Sequence, residues 1–152
     1  MNIHHFEEIF SDPTNYKEKL FSMWKQIADR YKDYPDDVIF EMLNEPHKNL
    51  TADIWNEFLS EGISLIREID NKRTLMIGPA NWNSINSLNS LQVPDDGNII
   101  ITVHYYSPFE FTHQGANWVE NSESWIGTKW EATSSQKEAI DKDIEAVKEW
   151  GD

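Results

Sequence analysis

The chain has 152 residues and a formal net charge of −14 at pH 7, from 13 Lys and Arg against 27 Asp and Glu. That balance opposes nucleic acid and anionic membrane surfaces, both of which are held by basic groups. Cys is absent, which excludes disulfides, thiolate chemistry and cysteine-based metal sites, while 39% hydrophobic residues suffice for the core of one domain. The longest aliphatic run, Ile99 to Ile101 closed by Thr102 and Val103, is far below the roughly 20 residues a membrane-spanning helix needs. Met1-Asn2-Ile3-His4-His5 shows neither a basic nor an apolar signal region, so no export signal is expected at this point.

In chain order, Asn2-Ile3 reads as the stub of a strand, and Asp12-Pro13 opens a helix with an N-cap carboxylate and a proline at the first helical position. Tyr16, Leu20, Met23, Trp24, Ile27 and Tyr31 recur along it at helical spacing until Asp33-Tyr34-Pro35. Val38 to Leu43 reads as a strand that stops at Asn44-Glu45-Pro46. Thr51 caps a second helix with Ile54, Phe58, Leu65, Ile66 and Ile69 on one side, ended by Asp70-Asn71-Lys72. Thr74 to Ile77 is strand-like, and a weak helix is expected over Trp82 to Leu91. The turn Pro94-Asp95-Asp96-Gly97 precedes the clearest strand, Asn98 to Tyr105. After a polar and aromatic loop, Ser135 and Glu138 form a capping-box pair for a last helix carrying Ile140, Ile144 and Val147.

Alternating strands and helices, with strands that are continuously apolar, imply an α/β fold with a parallel sheet buried on both faces. Two architectures fit: a doubly wound open sheet and a (β/α) barrel. None of the 6 Gly lies in a phosphate-binding fingerprint, which weakens the nucleotide-binding folds. His4-His5, Asn44-Glu45, Asn81-Trp82 and His104-Tyr105-Tyr106 all fall at or just after the carboxyl ends of strands, the rim where a barrel collects its chemistry. A barrel takes about 250 residues. With three strands and a stub, this chain is expected to form only the middle of one, with no second domain.

Glu45 is the sharpest chemical candidate, a carboxylate placed on the rim by a strand that Pro46 ends, suited to general acid work. His104 and Tyr106 share a strand face by period two, and Thr102 points with them. His4 and His5 have opposite parity, so one of them faces the cavity. His4, His5, Glu45 and His104 are of the types that ligate zinc, but no HExxH or similar spacing is present and no metal is expected. Trp82, His113 and Trp118 lie in polar loops, where indole faces can stack on the C–H faces of sugar rings. Trp24 and Trp55 lie in helices and read as structural, and Glu7, Glu8 and Glu41 as solvated or helix-facing.

Together, Asn2-Ile3-His4-His5-Phe6, the run from Phe40 to Asn44-Glu45-Pro46, Pro79-Ala80-Asn81-Trp82 and His104-Tyr105-Tyr106 resemble glycoside hydrolase family 5, the cellulase family. The resemblance is closest to bacterial endoglucanases that also accept mannan. It implies a partial (β/α)8 TIM barrel over residues 1–152, from the end of barrel strand 3 to the helix after strand 6. Strands 1, 2, 7 and 8 would be missing. It further implies retaining hydrolysis of internal β-1,4 bonds of cellulose or another β-glucan, without a cofactor. Glu45 would be the acid/base, with Asn44 bonding the sugar 2-hydroxyl. His104 and Tyr106 would orient the reacting groups, Tyr106 holding the nucleophile. His4 with His5 would line the glycone side, and Trp82, His113 and Trp118 would be subsite residues. The family's nucleophile, a Glu on strand 7, has no counterpart here, nor have the Arg of strand 2 and the Trp of strand 8.

Retaining hydrolysis needs two carboxyl groups about 5 to 5.5 Å apart. Glu41, four residues back on the same strand, is about 13 Å away at ~3.3 Å per residue, and Glu110 and Glu131 lie in loops that no motif places. The isolated chain is therefore expected to be inactive, to self-associate or to need a complementary barrel fragment. A non-catalytic β-glucan-binding fragment and a β-mannanase are the alternatives. The complete enzyme, by family habit, would be secreted.

Overall fold

The computed structural model describes residues 1–151. The chain divides into two compact units, Met1–His104 and a second beginning at Tyr105. The first contains α1 (Glu7–Ser11), α2 (Pro13–Tyr31), β1 (Phe40–Glu41), α3 (Ala52–Ile69), β2 (Leu75–Ile77), α4 (Ala80–Asn83), a 3-10 turn (Ile85–Ser90) and β3 (Ile99–Ile101). The strands form one parallel sheet in the order β1-β2-β3, with Phe40 beside Leu75 and Leu75 beside Ile99. Asn2 adds a parallel bridge to Glu41. The sheet thus grows in chain order without reversing. A doubly wound sheet reverses at a switch point, whereas a (β/α) barrel does not.

Local chemistry explains the helices. The Asp12 carboxylate accepts the Asn15 backbone N–H at 3.4 Å, and Pro13 sits where a missing N–H costs nothing. α2 buries Leu20, Phe21, Trp24 and Ala28 and packs on α3, where Phe21 meets Phe58 at 6.0 Å. α3 buries Trp55, Phe58, Leu59, Ile63 and Ile66, and the expected members Ile54, Leu65 and Ile69 are only half-buried. The indole of Trp55 takes the centre of that face because its N–H reaches the Gly78 carbonyl at 2.9 Å.

Several expected boundaries are corrected. The strand read as Val38 to Leu43 pairs only at Phe40–Glu41, since Val38 donates its N–H to the Pro35 carbonyl in a turn. β3 ends at Ile101 instead of Tyr105. Its ladder makes one further bond, Thr102 N–H to Ile77 O, before His104 turns its N–H to Asn83 O. The helix expected over Trp82 to Leu91 is replaced by the single turn α4 and the 3-10 turn, because Asn81, Trp82 and Asn83 have φ of 62°, 60° and 54°. The sheet is not buried on both faces: Phe40 and Leu75 are fully buried, whereas Met76 is half-buried and Ile100, beside it on the other face, is 41% exposed.

Arg73, 1% exposed, is the largest buried charge. It donates to Asp70 at 2.9 Å and to the carbonyls of Tyr31, Lys32, Tyr34, Pro35 and Val38, so that from just before β2 it bonds the last carbonyl of α2, its C-cap and the turn that follows. Such a buried ion needs every lone pair around it engaged.

The second unit holds α5 (Phe109–Thr112), a 3-10 turn (Ser122–Trp125) and α6 (Ser134–Gly151). The capping box of α6 lies two residues earlier than expected. Gln136 N–H donates to Thr133 Oγ1 at 3.3 Å and Thr133 N–H to Gln136 Oε1 at 3.0 Å, so Thr133 and Gln136 replace Ser135 and Glu138. α6 half-buries Gln136, Ile140, Asp143, Val147 and Trp150 and leaves Ile144 52% exposed. Tyr105 donates its hydroxyl to Asp143 at 2.8 Å, and burial, then that bond, push the phenol pKa up. Among the described residues, every buried apolar side chain of the core lies in the first unit.

Candidate active site

Two buried tryptophans fasten the strand ends that carry the site. Trp24 of α2 donates to Met42 O at 2.8 Å, just beyond β1, and Trp55 of α3 to Gly78 O, just beyond β2. Their reading as structural residues matches this placement. Beyond the first anchor, Asn44 N–H donates to Ile3 O at 3.0 Å, tying the stub to the loop.

Glu45 then takes φ of 48°, and Pro46 follows it. A left-handed non-glycine residue costs about 1 to 2 kcal/mol, and a following proline further restricts the residue before it. Three contacts hold this conformation. His47 Nδ1 lies 2.5 Å from the Glu45 carbonyl; a carbonyl can only accept, so the ring carries its proton on Nδ1. Trp82 N–H donates to Pro46 O at 3.0 Å, and the His47 ring stacks on Trp82 at 4.9 Å and meets Phe10, tilted by 35°, at 4.0 Å.

The left-handed run Asn81-Trp82-Asn83 is the second strained segment, and it touches both halves of the site. Through Trp82 N–H it holds the Glu45-Pro46 turn, and through Asn83 O it accepts the N–H of His104 at 2.9 Å. Asn suits two of these positions because its short side chain tolerates the left-handed region. The fully buried Asn83 amide packs so close to Gly78 that a β-carbon there would meet it at 2.7 Å. So braced, Glu45 Oε1 and His104 Nδ1 come within 2.6 Å, their side chains 24% and 23% exposed. A proton lies between an imidazole and a partly sheltered carboxyl group, an arrangement able to give and take protons at an adjacent leaving group.

The remaining expected residues are distributed as follows. Asn44 is half-buried beside Glu45. His4 and His5 are both exposed, their rings edge to face at 4.7 Å, so strand parity does not separate them. Trp82 exposes 50% of its surface while its other face stacks on His47. Glu41 accepts from the Asn2 side chain at 3.0 Å, and Glu7 and Glu8 are exposed. Tyr106, His113 and Trp118 belong to the second unit. There the Tyr106 ring lies 5.2 Å from His113, which stacks on Phe109 at 3.9 Å and has Thr112 Oγ1 2.9 Å from its Nδ1; Trp118 is 77% exposed. The expectation that His104 and Tyr106 share a strand face is corrected, since neither lies in a strand. Among the described residues no group of three or more His, Asp or Glu converges to hold a metal ion.

Sequence reasoning missed His47 and the left-handed run. The one available signal for His47 was its place directly after Pro46; stacking between Phe10 and Trp82 joins residues far apart in the chain. Three consecutive positive φ values at Asn-Trp-Asn leave no trace that composition would show.

The sequence model of the Cellulase (glycosyl hydrolase family 5) family matches residues 1–152. Endoglucanase H of Acetivibrio thermocellus is 34% identical over 152 residues, which cover 100% of this chain and 16% of that protein. Endoglucanase Cel5A of Thermotoga maritima superposes with a TM-score of 0.94 at 52% identity, over 98% of this chain and 48% of Cel5A. The same enzyme has been solved with mannotriose, at 51% identity. The cellulose synthase subunit Z of Clostridioides difficile superposes with a TM-score of 0.95 at 40% identity, over 99% of this chain and 50% of its own. The chain thus spans about half the length of these solved proteins, and less of the curated relatives.

Proposed function

The chain belongs to glycosyl hydrolase family 5, its parallel sheet and flanking helices being part of a (β/α)8 barrel, and on that premise we propose that it carries the acid/base half of a retaining endo-β-1,4-glucanase site. The observation that carries the reading is the 2.6 Å pair of Glu45 and His104 beyond the ends of β1 and β3, with Glu45 held in a strained backbone. Strain kept at one carboxylate by three separate contacts is characteristic of a group whose position matters to chemistry.

In this reading Glu45 protonates the glycosidic oxygen as the bond breaks, then removes a proton from the water that releases the sugar. His104 holds the carboxyl group toward the bond and shares its proton. Asn44 bonds the sugar 2-hydroxyl, and Trp82 supports a ring on its exposed face. His4 and His5 line the glycone side, Tyr106 orients the second carboxylate, and His113 and Trp118 extend the subsites. That second carboxylate has to stand about 5 to 5.5 Å from Glu45. Glu41, the nearest in sequence, is engaged with Asn2. We assign the nucleophile to the part of the catalytic domain that these residues do not span, so the 152-residue chain would bind sugar without turning it over.

The substrate is a β-1,4-linked glucan. Mannan is a second candidate, supported by the mannotriose complex of the similar Cel5A. Polymers of this kind do not cross membranes, so the site of action would be extracellular. The decisive experiment is Glu45→Gln in the complete catalytic domain carrying this stretch. Turnover of unactivated β-glucan should fall about 10²- to 10⁴-fold with oligosaccharide affinity nearly unchanged, and the unsubstituted enzyme should release product of retained anomeric configuration. Undiminished turnover would reassign the acid.

A further inference from the structure

We propose that His47 is a positioning residue that couples the indole of Trp82 to the carboxyl group of Glu45. The inference rests on the reading of Glu45 as the acid and Trp82 as a sugar platform. His47 makes two different contacts with two parts of the site. Its Nδ1–H bonds the carbonyl of Glu45, and its ring lies nearly parallel to the Trp82 indole, at 16° and 4.9 Å, with buried Phe10 on the opposite side at 4.0 Å. One rigid imidazole therefore touches both the peptide unit that orients the acid and the inner face of the residue whose outer face is open to solvent.

The surrounding backbone makes the coupling stiff. The carbonyl following Glu45, that of Pro46, is bonded by the Trp82 N–H, and Asn49 N–H is fixed to Phe10 O at 3.0 Å, which seats the His47 loop on α1. The Glu45 turn, the His47 ring and the Trp82 segment thus form a closed set in which no member shifts alone. A sugar pressing on Trp82 loads the stack and, through the Nδ1–H bond, the φ of 48° at Glu45. The two contacts can be separated by substitution. His47→Asn keeps an N–H near the position of Nδ1 but removes the ring; His47→Phe keeps the ring but removes the donor.

The test uses the 152-residue chain, with far-UV circular dichroism as a check on folding. Two readouts are followed: the low-field proton resonance shared by Glu45 and His104, and the affinity for cellotriose. The resonance should persist in His47→Asn and move upfield or vanish in His47→Phe. Cellotriose should bind about two- to tenfold more weakly to His47→Asn, the range expected for one lost aromatic stack, and with near-native affinity to His47→Phe. A resonance unchanged in His47→Phe, or lost from a folded His47→Asn, overturns the proposal, as does its absence from the unsubstituted chain. If His47→Phe fails to fold, His47→Asn decides alone, since it must keep the resonance and weaken binding. Trp82→Ala tests the underlying reading separately: full affinity in that variant removes Trp82 as a platform, whereas the resonance in the two His47 variants still reports whether His47 positions the acid.

Discussion

At the scale of single residues, strain and burial mark different duties. Glu45, Lys48, Asn81, Trp82 and Asn83 all have positive φ, the first two in the loop after β1 and the other three in the single turn α4 after β2. Left-handed strain at Trp82 gives a direct check by denaturant unfolding. Trp82→Gly should be more stable than Trp82→Ala by about 1 kcal/mol, reversing the usual order, because only glycine adopts φ of 60° without penalty. Arg73 shows the opposite case, a residue with no chemical duty and many partners. Arg73→Met would take one donor each from Asp70 and from five carbonyls, of which those of Tyr31 and Pro35 keep a backbone N–H, and should cost about 3 to 5 kcal/mol in the same measurement. Nothing around Arg73 in sequence announces this role, because five of its six acceptors lie some forty residues earlier, at and just beyond the end of another helix.

At the scale of elements, the order of helices and parallel strands was written in the sequence, but the exact ends of the elements and the cover on only one face of the sheet were not. α2 and α3 follow from apolar periodicity and from Asp12-Pro13, local signals that act within one turn. The strands shorten because pairing depends on a neighbour: β3 leaves the ladder where His104 finds Asn83 instead of β2. Gly78 and Asn83 show how closely β2 and α4 meet, and Gly78→Ala should lower stability by about 1 to 3 kcal/mol through that overlap, as read by thermal unfolding. Arg67 of α3 holds Asp96, in the turn before β3, through bonds of 2.6 and 3.2 Å, and this hydrogen-bonded guanidinium lowers the Asp96 pKa. The folded pKa is below the unfolded one, so the stabilisation is full above the ordinary carboxylate range and is lost as pH falls through the folded value. Asp96→Asn should therefore flatten the acid side of the stability profile, measured by denaturant midpoints across pH.

At the scale of the molecule, the first unit holds the apolar core and the second is built on half-buried contacts such as Tyr105 with Asp143. Amide hydrogen exchange should accordingly be slowest in β2 and α3, where Leu75, Leu59 and Ile66 are fully buried, and faster throughout the residues from Tyr105 onward. Equal protection in both would show that burial is not what sets local stability here. The chain spans about half the length of the solved family members it matches, and its proposed chemistry divides in the same way, with an acid present and its carboxylate partner to be supplied.

The family, the parallel order of strands and helices, and the rim position of Asn44, Glu45 and His104 were legible in the amino-acid sequence, because they rest on local periodicity, on turn residues and on short motifs. Only the tertiary structure decided that Glu45 and His104 meet at 2.6 Å, that His47 stands between Glu45 and Trp82, and that Arg73 bonds the end of α2. Those are meetings of side chains from 2 to 59 positions apart, and the backbone angles that allow them are selected by packing against neighbours, not by the residues' own preferences.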